Sequence, residues 1–118
     1  MRNHLEQYRV EDRILFREVW PKHGRPYQHT CSERAYKAVL RVIDDAGGRT
    51  FTGEDLVGWT DEPSTQVFTA LAFLKERGCV VTAHGRRNVA PSILDVADDG
   101  VIEFEALAHY TIHPEDRP

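Results

Sequence analysis

Six histidines and two cysteines are the residues of this chain best suited to metal or nucleophilic chemistry. His109 and His113 stand four apart, a spacing that on a helix turns both rings to one face. His29 and Cys31 make a second short pair. A zinc centre needs three or four ligands, and neither pair has a third suitable ligand near it in sequence. No metal and no cofactor is expected. Cys31 falls near a helix start, which favours a thiolate slightly, but nothing in the sequence supplies an oriented base or an oxyanion hole. No catalytic residues are assigned and no enzyme is expected. The acidic pairs Asp44-Asp45, Asp98-Asp99 and Glu103/Glu105 read as solvated faces or helix caps. No glycine-rich phosphate loop occurs. The remaining chemistry is cationic: Arg86 and Arg87 sit between His84-Gly85 and Asn88 in an expected hairpin tip. There they could meet a polyanion, and they suit a plain solvated turn equally well.

The overall balance names no partner. The 118 residues are 41% hydrophobic and 29% charged, with a net charge of −4, an ordinary composition for one folded domain. The distribution is more informative. Residues 1–49 carry ten Lys/Arg against seven Asp/Glu, and residues 50–78 carry two against five. Residues 79–92 carry two arginines and no acid, and residues 93–118 one cation against seven acids. An acidic tail therefore follows a small basic island. No apolar run could span a bilayer. The first residues lack a signal-peptide core, so a cytoplasmic protein with two free thiols and no membrane partner is expected.

Several elements must position these residues. Asn3 and Glu6 have the spacing of a capping box. Leu5, Tyr8, Leu15 and Val19, with Ile14, Phe16 and Trp20, recur at roughly helical spacing, predicting a helix over about 4–20 that Pro21 ends. A Pro/Gly loop follows. A second box, Thr30 with Glu33, opens a helix with Ala35, Val39, Val42 and Ala46 on its buried stripe, closed by Gly47-Gly48. A third box, Thr52 with Asp55, opens a short helix through Leu56. A turn leads to a helix from about Ser64, with Val67, Leu71 and Leu74 buried and Gly78 at its end. Val80, Val81 and Thr82 predict a strand, and Val89-Ala90 its return. Residues 98–112 fit either a strand or a helix, and the acids at their start favour the helix.

The order helix, short helix, helix, hairpin, and above all the segment PSTQVFTALAFLKERGCV (63–80), resembles the winged helix-turn-helix family of bacterial transcription regulators. Val67, Leu71, Leu74, Gly78 and Val80 hold the places of that family's recognition helix and following strand. Leu56 holds the core leucine of the preceding helix. The resemblance covers residues 30–92, about half of the chain. It implies a mainly α fold, with a three-helix core and a two-stranded wing. The N-terminal helix and loop (1–29) would flank it on one side and the acidic extension (93–118) on the other.

For function the resemblance implies binding of double-stranded DNA and transcription regulation. Thr65, Gln66 and Thr69 would lie in the major groove, with Arg86 and Arg87 at the wing. The exposed positions of this recognition helix are poor in cations, although phosphate contacts dominate DNA affinity. Phe68 and Phe73 stand among them, which points either to unusual depth in the core or to a protein contact, and so opens a second reading: a protein-interaction module that has kept the fold without the basic face. A homodimer is expected through the N-terminal helix, using Leu5, Tyr8, Phe16 and Trp20, with 101–110 contributing.

Overall fold

The computed structural model describes residues 4–91 and 96–110. The chain opens with three strands, β1 (His4–Glu11), β2 (Ile14–Pro21) and β3 (Tyr27–Ser32), which form an antiparallel sheet in that order. Helices α1 (Glu33–Asp45), α2 (Gly53–Thr60) and α3 (Ser64–Glu76) follow. The hairpin of β4 (Val81–His84) and β5 (Arg87–Val89) comes next, then helix α4 (Val96–His109).

This architecture corrects the expected fold class. The chain is α+β and leads with a sheet; the mainly α arrangement with an N-terminal helix is overturned. The error lies in the phase of residues 4–20. Asp12 and Arg13 both have positive φ, 52° and 63°. They are the two central residues of a tight hairpin turn that pairs Glu11 with Ile14, the backbone a primed two-residue turn requires. Each arm alternates in the two-residue period of a strand. Tyr8, Val10, Leu15 and Val19 share one face, and Leu5, Ile14, Phe16 and Trp20 the other. The fold-back at the turn lets two alternating arms mimic a helical stripe when read end to end. Asn3, the expected cap of the lost helix, lies outside the described residues.

β3 runs into α1 without a loop. Ser32 is both the last strand residue and the helix N-cap, its hydroxyl accepting from the Ala35 amide at 3.1 Å. The capping box expected at Thr30 therefore gives way to a cap two residues later. The box at α2 is present in both directions: the Asp55 amide donates to Thr52 Oγ1 at 3.0 Å, and the Thr52 amide to the Asp55 carboxylate at 2.9 Å. Residues 64–76 form one continuous helix. His113 lies outside the described residues.

A single buried cluster takes in Val10, Leu15 and Cys31 of the sheet, Tyr36 and Leu40 of α1, Phe51, Leu56 of α2, Phe73 and Leu74 of α3, and Phe104 of α4. The position expected as a domain boundary, 29/30, falls inside β3. Aromatic rings tie the layers together: Tyr36 lies 5.0 Å from Phe104 and 5.9 Å from Phe73, and Tyr8 lies 5.3 Å from Phe73. Gly100 lets α4 approach α1. A methyl group there would collide with the buried Leu40 side chain, and the Tyr36 hydroxyl donates to the Gly100 carbonyl at 2.6 Å. At the far end of the hairpin, Arg13 bonds the carboxylates of Glu33 and Glu105. Those hydrogen bonds hold both carboxyls below the usual carboxylate range.

Candidate nucleic-acid interface

Helix α2 ends at Asp61, which takes the left-handed conformation (φ 58°) and donates its amide to the Val57 carbonyl at 3.0 Å. Pro63 then starts α3. Five residues of α3 that face α1, α2 and the sheet are apolar and closed to solvent: Val67, Ala70, Leu71, Phe73 and Leu74. Ser64, Thr65, Phe68, Lys75 and Glu76 lie on the open arc, with Ala72 partly exposed between them.

The three residues expected to read bases separate at this point. Thr65 is exposed. Gln66 is half-buried, and its Oε1 accepts from the Ser32 amide at 2.9 Å. Thr69 is 1% exposed, and its hydroxyl donates to the Thr65 carbonyl at 2.8 Å. β3 packs against α3, and its last residue, Ser32, meets Gln66 there. Gln66 thus ties α3 to the end of β3, and Thr69 is turned back onto its own helix. Their types and positions in the helix match those of base-reading residues, and only the N-terminal sheet reveals that they face inward.

The two phenylalanines also separate. Phe73 is fully buried against Tyr8 and Tyr36, so it is core and offers no surface to a partner. Phe68 is 43% exposed. The covered part of its ring lies on Gly53, the first residue of α2, where any β-carbon would collide with the ring. Of the four N-terminal residues expected at an interface, Tyr8 points to the inner face of the sheet, and Leu5, Phe16 and Trp20 stand on the outer face.

The hairpin after α3 is anchored at its base. Phe51, just before α2, makes an antiparallel bridge with Asn88 through amide–carbonyl bonds of 2.7 and 2.9 Å. Asn88 is buried, and its side-chain amide donates to the Arg86 carbonyl at 3.3 Å. Gly85, with φ 56°, makes the tip. Arg86 and Arg87 are both exposed, but they differ. Arg87 turns back, its Nε donating to Thr50 Oγ1 at 2.7 Å and its Nη2 to the Thr50 carbonyl at 3.2 Å. Thr50 and the buried Asn88 were not singled out from the sequence. Asn88 reads there as a turn residue, and no local pattern marks its bridge to Phe51, 37 positions away.

The thiols are placed away from solvent chemistry. Cys31 is fully buried, and burial pushes its thiol up to about 12. Cys79 is half-buried and is likewise raised by burial. A thiol reagent of the disulfide-exchange type should therefore label native protein at Cys79 alone, and slowly. Both thiols should react in denaturant. Fast labelling of two thiols in the native state would contradict this placement. Among the described residues no three His, Cys, Asp or Glu side chains converge as a metal site would require, and no helix is long and apolar enough to cross a membrane. Comparison with known proteins adds no relative: no family model matches the chain, and no curated protein or solved structure matches it.

Proposed function

We propose that residues 30–92 act as a winged helix-turn-helix unit within this α+β chain, and that the unit binds double-stranded DNA in a regulatory role. The observation that carries this reading is the bridge between Phe51 and Asn88. It ties the hairpin to the segment just before α2. The helix–turn–helix and the arginine-tipped hairpin are thereby held as one body, the arrangement in which a helix meets the major groove while a wing meets the backbone or minor groove.

The orientation of side chains on α3 defines the kind of binding. With Gln66 and Thr69 bonded inward, Thr65 is the remaining donor of the expected set, and Lys75 is the cation on the open arc. Such a surface can hold phosphates but has few groups for base edges. Weak sequence preference and strong salt dependence are the expected outcome. Binding to mixed-sequence duplexes should be measurable at about 50 mM salt and weaken steeply by about 200 mM. Changing Arg86 and Arg87 together to alanine should weaken binding to all sequences alike and reduce the salt slope by roughly two. Unchanged affinity and slope in that double variant would sink the wing model, and absence of duplex binding at low salt would sink the DNA reading itself.

A second reading rests on Phe68. A half-exposed aromatic ring in the middle of the open arc, with acids Asp61 and Glu62 just before the helix, suits a protein partner better than a phosphate backbone. In that case Phe68→Ala removes association while the arginine variant leaves it intact.

A further inference from the structure

The outer face of the β1–β2–β3 sheet is covered by no other element among the described residues. Leu5 is 74% exposed and Trp20, its cross-strand neighbour, 38%. Ile14 is also exposed, and Phe16 is half-buried beneath the guanidinium of Arg9, which stands 4.2 Å from the ring centre. The polar residues on this face have both signs. Arg9 pairs with Glu18 and, at 3.3 Å, with Glu11. Gln7, Gln28 and Thr30 complete it without further charge.

We propose that this face binds the same face of a second copy of the chain. The charge pattern selects that occupant. A surface with one central cation between two acids offers little to a uniformly acidic or basic partner, but it complements its own two-fold image. An axis lying across the strands, level with the gap between Phe16 and Glu18, sets Trp20 of each copy over Ile14 of the other and brings each Arg9 beside the other copy's Glu18. The face also has enough area. Three strands at about 4.8 Å spacing and about 3.4 Å rise give a footprint of roughly 14 by 27 Å, on the order of 500 Å2 of accessible surface per copy. That lies at the low end of specific interfaces, so a weak, concentration-dependent dimer is expected.

Sedimentation velocity on the full chain, from about 1 to 500 μM, tests this. The expected result is a concentration-dependent doubling of mass. Leu5→Glu should remove it, because the same axis sets Leu5 over the other copy's Glu11, while the circular dichroism spectrum and melting midpoint stay unchanged, because Leu5 is largely exposed in the monomer. Arg9→Glu and Glu18→Arg should each weaken the dimer about tenfold or more, and the combined charge swap should restore it. A wild-type chain that stays monomeric throughout overturns the proposal. So does a dimer that survives Leu5→Glu. So too does a monomer whose Trp20 emission, read in a Trp59→Phe background, is shielded from acrylamide, since the chain itself would then cover the face.

Discussion

Replacing Phe73 with alanine should lower the unfolding free energy by about 3–5 kcal/mol, enough to unfold much of a domain of this size at 37 °C. The ring is fully buried and touches Tyr8 of the sheet and Tyr36 of α1, so its loss opens a cavity where three layers meet. Phe68→Ala should cost about 1 kcal/mol, because roughly half of that ring is already in water. Denaturant melts of the two variants give the comparison directly. A Phe73 variant as stable as the Phe68 variant would show that the sheet does not close over α3. It would also return Phe73, Gln66 and Thr69 to the surface as interface candidates.

Arg17→Met should cost about 3 kcal/mol. Arg17 stands in the middle strand on the inner face, bonded to Glu6 on β1, and both side chains are largely covered, at 19% and 9% exposed. Removing one member of a covered ion pair leaves the other charge poorly solvated, which is far more costly than losing an exposed pair. Pairing the change with Glu6→Gln should recover most of the loss, since the stranded carboxylate is then gone. Stability within about 0.5 kcal/mol of wild type for the single variant would mean that water reaches Glu6 and that this end of the sheet is open. The same row holds the buried Tyr8 hydroxyl, whose ionisation is disfavoured first by burial and then by the neighbouring Glu6 carboxylate.

The helices of the middle segment are legible because their signals are local. Val67, Leu71 and Leu74 repeat at helical spacing, and Thr52 and Asp55 cap α2 with two reciprocal bonds three residues apart. The N-terminal sheet is hidden because a hairpin with apolar residues on both faces has no clean alternation. Leu5, Phe16 and Trp20 stand outward where polar residues normally mark the solvent side. The turn that would have revealed it is Asp12-Arg13, not one of the glycine-containing pairs that usually signal such a turn. That one misreading propagates to the candidate site. With no sheet beside α3, Gln66 and Thr69 read as groove-facing donors and Phe73 as a surface ring. With the sheet in place, Thr69 and Phe73 are buried and Gln66 is half-buried and bonded to the end of β3. Arg86 and Arg87 were legible as exposed cations, whereas the Thr50 bond that restrains Arg87 was not, since it links residues 37 apart.

The bond from Arg13 to Glu105 has a consequence for how the chain reaches its final state. It joins residues 92 apart, and the same region brings β1 against α4. Contacts of such long sequence separation carry the largest loop-closure cost and form late. During synthesis the first hairpin leaves the ribosome roughly 5–20 s before the helix that completes its environment. Over that interval the hairpin lacks Phe104 beside its turn and offers a strand edge and the uncovered apolar side chains Val10, Leu15 and Val19 to any neighbour. The growing chain is therefore most prone to aggregation before α4 is made, and variants that weaken α4 should lower soluble yield more than they lower the melting point.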